Sequence, residues 1–476
     1  MAAFVAASLC ACSAPRTRHF TSEEAVVARP APQPAAPKTL AAAYDKIVSR
    51  IVAEANELDR AHDLLRHLCL EIGPRLSGSV GLERALSWSK AELQAAGHER
   101  VRIEKVLVPK WVRGEESLSI VETGVDLELL GLGGSVGTKP QGVVGELLVV
   151  DTFDELAAHA DSVKGRIVLF NHRLKLDAQS GFPEYPAALS FRLGGASAAG
   201  KLGAAAVLVR SITTDVESPP HTGRLDYAPE GARIPAAAVS YKDADLLEAR
   251  FKEGTPTTLR LQMQARSEGE VESGNVLAEL RGSELPEEIV LISAHIDSWD
   301  IGHGAHDNGA GVVSVMAALG VLRRLELRPR RTIRLVLWTN EENGLRGAAA
   351  YAKSHGSEQH VAAVESDSGG APIFALSLQA GPKAAGLETL GQLSALLAQQ
   401  GVTHVMPFFA GEDIQPLINR GVPGVGLWRQ PTHYFDFHHS AADVFASVDA
   451  SSLRQNVAVT ASTIFVLADM PGTLGL

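Results

Sequence analysis

Cysteine is almost absent, with three in 476 residues: Cys10, Cys12 and Cys69. Three thiols cannot build a disulfide framework and none has metal-site spacing, so any metal centre in this chain uses other ligands. Long basic runs are missing too. The chain carries 44 Lys and Arg against 55 Asp and Glu, a formal charge of -11. No stretch is dense enough in cations to track phosphates, which argues against nucleic acid as a partner. No internal repeat is visible. A hydrophobic content of 45% with mean hydropathy near zero fits a globular protein rather than a membrane-spanning one. At 476 residues the chain is long for one core, so two domains are expected.

What is present concentrates in residues 288–343. Two apolar runs, Glu288–Ala294 and Thr332–Trp338, read as buried strands. The first delivers His295 and Asp297 at its carboxyl end, and the second delivers Glu341 and Glu342. Between them lie a Gly-rich loop with His303, His306 and Asp307, then a helix over about Gly309–Leu325. Parallel α/β sheets place their chemistry outside the carboxyl ends of their strands. Two later strands add to the set: Ala362–Ser366 leads to Asp367, and Gly424–Trp428 leads to the loop holding His438 and His439. Taken singly, a His-x-Asp at a strand end or a Glu-Glu pair is unremarkable, since paired acids are usually a solvated turn. Position changes that judgement: plain turns at strand ends would carry Gly, Asn or Ser. Carboxylates converging with imidazole make a hard site that suits zinc.

The remaining chain frames this centre. Residues 1–12 are small and apolar and end in Leu9-Cys10-Ala11-Cys12, which resembles a bacterial lipoprotein signal with Cys12 as the lipidated residue. The segment lacks an initial Lys or Arg, so the alternatives are a start further upstream or an Ala-rich terminus. Residues 13–39, rich in Pro and Ala, read as a linker. Helical periodicity follows over about Thr39–Leu70 and Gly81–Ala96, then a strand at Val101–Val108. Between about Glu115 and Glu268 the pattern becomes short β runs with many turns. This stretch holds strands at Gly165–Phe170, Ala204–Val209 and Ile234–Val239, with helices at Ser197–Leu202 and Tyr241–Glu253. The N-terminal helices have too little sheet of their own to fold on. An insertion into one domain therefore explains the pattern better than serial domains. A long helix at about Asp449–Leu467 closes the chain.

These segments carry a family resemblance. IGPRLSGS, VPKWVRGEE, SPPHTG, IPAAAVSYKDADLL, HIDSWDIGHGAHDNGAG, NEENGLRGA, ESDSG and FHHSAAD are similar to the M28 family of zinc peptidases, within it to the plasma glutamate carboxypeptidase (carboxypeptidase Q) group. They span almost everything from about residue 40 onward, and the last four carry the metal signature in order. The resemblance implies a mixed, mostly parallel sheet flanked by helices, formed by 40–114 and 269–476, with an inserted β-rich protease-associated domain at 115–268. It implies two zinc ions per chain: His295 and Asp367 on one, Glu342 and His439 on the other, and Asp307 bridging with a cis peptide after it. Glu341 becomes the general base, placed to take a proton from the attacking water. Asp297 becomes the residue that orients the His295 ring, and Asp443 a further supporting carboxylate. His439 aligns with the family's His-Ser/Thr-x-x-Asp pattern, which leaves His438 as a substrate contact or a neutral packed ring. His303 and His306 are expected to be ordinary loop residues. Asn308 departs from relatives that have a second Asp there.

The implied activity is exopeptidase hydrolysis of dipeptides or short peptides with a free N-terminus. The alternative is a non-catalytic ectodomain that binds through the same fold. Such a protein would be expected to have lost a ligand or the base, whereas all six positions are filled here. The lipoprotein-like signal implies a bacterial envelope or secreted location, with membrane contact only through a lipid anchor. The group resembled tends to form homodimers.

Overall fold

The computed structural model describes residues 39–57, 59–175, 184–379, 384–431 and 433–474. The signal-like segment with Cys12, and the linker to residue 38, lie outside the described residues. Runs of Val, Ile and Leu with no polar alternation make strands that are buried on both faces. Arg331–Trp338 is buried at all eight positions, and Leu285–His295 is buried from Ile289 onward. They form the centre of an eight-stranded sheet. Its order in space is Glu99–Val112, Arg266–Leu280, Arg331–Trp338, Leu285–His295, Gln359–Glu365, Gly424–Arg429, Ile373–Gln379 and His404–Met406. The four central strands run parallel. Antiparallel pairs flank them, apart from a short parallel pair at the far edge.

Helices cover both faces. Ala310–Arg324 is buried along Ala310–Leu322 and packs with Ala450–Asp469 and Leu40–Glu57 in one continuous core. Ser79 caps the Val80–Ala95 helix by accepting from the Leu82 amide, and Asp449 caps Ala450–Asp469 in the same way. On the opposite face Trp338 and Tyr351 pack with Ile414 and Leu417. Among the described residues no helix is long and apolar enough to cross a membrane.

The chain leaves this sheet after Val112 and re-enters at Arg266, and these two strands pair antiparallel at the exit. All eight strands of a second sheet lie between. Four of them, Val143–Val150, Ile167–Phe170, Ala206–Arg210 and Ala236–Val239, run parallel. The region is richer in helix than its short β runs imply. Helices at Phe153–Ala158, Tyr185–Lys201 and Tyr241–Lys252 alternate with strands, so it is itself α/β. The helix expected at Ser197–Leu202 begins at Tyr185. Gly194, Gly195 and Gly200 interrupt any amphipathic stripe, and Phe170 packs where a Cβ on Gly195 would fall, at 2.8 Å. Both sheets belong to one compact unit, Thr39–Leu476.

Candidate metal centre

Parallel register gathers the site. His295 pairs with Trp338, so Glu341 and Glu342 follow three and four residues after the neighbouring strand draws level. The strand on the other side, Gln359–Glu365, ends two residues before Asp367. Asp307 arrives from the loop ahead of the Ala310–Arg324 helix, where the Asp307–Asn308 peptide is cis. Asn308 is held at both ends of its amide: it donates to the Ser366 carbonyl and accepts from the Gly311 amide. His439 stands at a left-handed φ of 62° in the loop after Gly424–Arg429.

The residues expected as ligands lie together. His295 Nε2 is 3.2 Å from Asp307 Oδ1 and 3.4 Å from Asp367 Oδ1. His439 Nε2 is 3.1 Å from both Asp307 Oδ2 and Glu342 Oε2. Each ring nitrogen therefore faces two carboxylates, although it has one hydrogen at most to offer. Tetrahedral zinc with bonds of 2.0–2.1 Å separates neighbouring ligand atoms by about 3.3–3.4 Å. The observed spacings lie close to that edge length. Glu342 Oε1 and Asp367 Oδ1 are buried without a hydrogen-bond partner among the described residues. Two donor groups that share Asp307, each with a buried oxygen lacking a hydrogen-bond partner among the described residues, fit zinc.

Electrostatics point the same way. Burial raises Glu341 well above the carboxylate range, with Asp367 and Glu342 adding to the shift against the opposing pull of His295. Burial and then Asp307 push Glu342 up to about 7. Against its own burial, His439 rises to about 10, held charged by Glu342 and Asp307. His295 likewise rises well above its usual value against burial, through Asp367 and Asp307. Without a cation the cluster retains protons that a bound metal ion would displace.

Supporting contacts come from several loops. The Asp297 carboxylate accepts from the Glu341 and Glu342 amides at 3.1 and 3.3 Å. It lies 3.8 Å from His295 Nδ1, whereas the carbonyl of the same residue lies at 3.0 Å. Orientation of the ring thus comes from the Asp297 backbone, and its side chain aligns the Glu-Glu turn. This differs from the expected role because the carboxylate is drawn to two amides of the adjoining turn. Asp443 accepts from three consecutive amides, Ala305, His306 and Asp307. Arg75 sits wholly buried and donates to the carbonyls of Gly73, Ile296, His303 and Gly304. The sequence motif containing Arg75 was legible, but its bracing role was not.

His438 stacks on His439 with ring centroids 3.6 Å apart, and its Nε2 lies 3.6 Å from Asp307 Oδ2. Burial and the charge on His439 keep it neutral. His303 accepts from the Phe445 amide, and His306 accepts from the Gly370 amide while stacking on Phe437. Both are loop braces.

A cleft of about 600 Å³ opens onto this centre. Glu341, Glu342, Asp367, His438 and His439 line its floor, with Phe408, Glu412, Trp428 and Tyr434 beside them. The second-sheet region supplies another wall through Tyr185, Leu189, Arg192 and Arg224. Burial holds the Tyr434 hydroxyl protonated, reinforced by Asp307 and Asp367.

Comparison with known proteins agrees with this geometry. Residues 275–464 match Peptidase family M28. Carboxypeptidase Q of Homo sapiens is 36% identical over 428 residues, covering 89% of each chain. The crystal structure of a Peptidase M28 precursor from Shewanella amazonensis SB2B superposes with a TM-score of 0.85 at 35% identity, covering 90% of this chain and 98% of that one. The zinc aminopeptidase BSAP from Bacillus subtilis shares the fold, with a TM-score of 0.64 at 18% identity over 87% of this chain and 96% of that one. With a relative matched over nearly its full length, the chain belongs to peptidase family M28 and is a zinc metallopeptidase.

Proposed function

We propose that the protein is a co-catalytic two-zinc exopeptidase acting on dipeptides or short peptides with a free N-terminus. The observation that carries this is the shared Asp307. One oxygen faces His295 and the other faces His439, so one carboxylate serves two ligand groups. His295 and Asp367 would hold one zinc, Glu342 and His439 the other. Bound zinc supplies Lewis-acid polarisation of the carbonyl and lowers the pKa of water.

The chain's own residues supply the rest. Glu341 lines the cleft and enters no ion pair among the described residues, so its carboxylate is free to accept a proton from the attacking water. The same group then returns that proton to the departing amine. The Asp297 carboxylate fixes Glu341 and Glu342 through adjacent amides, so that one side chain can ligate while the other does not. Acids around the centre, with Glu412 at the cleft, favour a free ammonium on the substrate. The 115–268 region, read as a protease-associated domain, narrows the approach and so favours short peptides. A lipid anchor on Cys12 would place the enzyme in a bacterial envelope, and a homodimer is the proposed assembly.

Two substitutions test the reading. Glu342→Ala removes a ligand and should lower metal content and activity together. Glu341→Gln keeps shape and ligands but accepts no proton, so it should retain close to two zinc per chain while turnover falls roughly 10²–10⁴-fold. Near-normal turnover in the Gln variant, or a wild-type protein that repeatedly contains no zinc, would refute the mechanism.

A further inference from the structure

The residues expected as metal ligands are braced from outside, each by its own partner. Asp443 holds the amide of Asp307, and the Asp297 carboxylate holds that of Glu342. The Asp297 carbonyl fixes the His295 ring, and Thr222 clasps His439. Asp367 differs. Its Oδ1 faces His295 Nε2 at 3.4 Å and is buried without a hydrogen bond among the described residues.

Its neighbours in the chain are held instead, and by one side chain. Gly424–Arg429 runs parallel to Gln359–Glu365, with Gly426 level with Glu365. Continuing that register past the strand ends sets Arg429 beside Ser368. Arg429 Nη2 donates to the Ser366 hydroxyl at 2.7 Å and Nη1 to the Ser368 hydroxyl at 3.4 Å. The Arg429 amide adds a bond to the Ser368 hydroxyl at 3.2 Å. The planar fork therefore straddles Asp367, with one prong on the residue before it and one on the residue after. Ser366 extends the grip, because its carbonyl accepts from the side chain of Asn308, next to Asp307.

This guanidinium is costly to bury. It is 1% exposed, its Nε has no partner, and no carboxylate lies within 4.0 Å of it among the described residues. Other buried arginines meet acids or carbonyls: Arg334 pairs with Glu279, Arg331 with Glu288, and Arg75 is satisfied by four carbonyls. Burial draws Arg429 down to about 10 and Asp367 opposes that shift, so the group is charged at neutral pH. A buried charge that spends its donors on two neutral hydroxyls is a poor device for stability alone. Around a ligand it does something specific. Bonds on both flanks fix the Asp367 backbone, and with it the direction of the carboxylate, before a metal arrives. We propose that Arg429 is the positioning residue for Asp367, setting that carboxylate toward the zinc it would share with His295 by gripping Ser366 and Ser368. The inference rests on the two-zinc reading above and deepens it by separating the metals: Arg429 braces the His295 side, Thr222 the His439 side.

Zinc titration of the metal-free full chain against a chromophoric chelator reads the two sites. The Glu342→Ala background leaves the group of His295, Asp307 and Asp367 to be titrated by itself. Arg429→Met should weaken zinc binding by that group about 10–100-fold in either background, and leave the other wild-type site within a few-fold. Arg429→Lys keeps the charge but not the fork, so it should stay close to the Met variant. Ser366→Ala combined with Ser368→Ala removes both acceptors and should weaken the same site. Added to Arg429→Met it should cost little more, because the three groups act as a unit. A purely structural role would lower both zinc affinities alike, or lower the melting point of metal-free protein and change neither; each result overturns the proposal. So would full affinity in the Lys variant, or additive losses in the combined one. A raised KM for Phe-Leu with zinc binding unaltered would make Arg429 a substrate contact and overturn it too. The serine variants lose two hydroxyls only, and they decide the matter if Arg429→Met fails to fold. A wild type that binds one zinc or none would instead remove the two-zinc reading itself, and the proposal with it.

Discussion

Asp443→Asn isolates the bracing of the bridging loop from metal ligation itself. Asp443 is 3% exposed, and its Oδ1 accepts from the Ala305 and His306 amides at 3.0 and 2.6 Å. Oδ2 accepts from the Asp307 amide at 3.1 Å. Asn keeps one oxygen, which stays where two amides converge, so its NH2 must face the Asp307 N–H. That donor is then buried and unpaired, at about 1–3 kcal/mol. The two surviving bonds lose charge assistance, and ionised acceptors make bonds about twice as strong as neutral ones. Together the change should cost about 2–4 kcal/mol of loop order, and zinc affinity should fall about 10–100-fold, as when other supporting partners of metal ligands are removed. Burial pushes the Asp443 carboxyl up to about 7 in the metal-free site, so the comparison belongs above pH 8, where Asp443 is ionised. Zinc titration against a chromophoric chelator measures the affinity, and calorimetry of loaded and metal-free protein measures stability. An Asn variant with affinity within twofold of wild type and an unchanged melting point would show that the three amides do not depend on this carboxylate.

Other expectations come from specific contacts. Gly133→Ala would put a Cβ 1.9 Å from the Trp299 ring, which packs edge-on against His439, so overpacking of about 1–3 kcal/mol should lower the melting point by a few degrees; an unchanged melting curve would refute that packing. Thr222 clasps His439, donating its amide to the His439 carbonyl at 2.9 Å, while its hydroxyl anchors to the Gly131 carbonyl at 2.7 Å. Thr222→Val should therefore weaken zinc binding where Thr222→Ser does not, and equal affinities would dismiss the clasp. Burial lowers His221 to about 3, and His98 and His360 to about 4, so as pH falls below the ordinary 6.5 the unfolded chain takes up protons first. Stability of metal-free protein should be insensitive to these groups above pH 6.5 and decline from there towards pH 4, His221 alone contributing about 2 kcal/mol of loss by pH 5; denaturant midpoints that stay flat over that window would contradict it. Cys12→Ser should release the protein from the membrane fraction of its host, and unchanged fractionation would rule out the anchor.

Local pattern determined much of this protein. Apolar runs rich in branched residues mark Glu288–Ala294 and Thr332–Trp338 as buried strands, and the residues directly after each run must emerge at a strand end. His295, Glu341, Glu342, Asp367 and the His438–His439 pair were legible because parallel neighbours share a direction, so their carboxyl ends form one edge; only the family resemblance set His439 apart from His438. The Gly-rich loop around Asp307 was legible because such backbone admits unusual geometry. Tertiary structure alone decided how the ligands share Asp307, since a distance of 3.1 Å between His439 and Asp307 leaves no trace in either segment. It also decided the division of labour within Asp297, whose carbonyl and carboxylate face different partners two and more than forty residues away. Only the last turns of the Tyr185–Lys201 helix were legible, as a helix at Ser197–Leu202, because its glycines erase the period that would announce the rest. Arg192 on that helix lies 3.4 Å from His439 Nδ1, 247 residues further along the chain. Periodicity records which face of an element is buried; it carries nothing about which distant element does the burying, and this cleft is lined by residues from both sheets' regions.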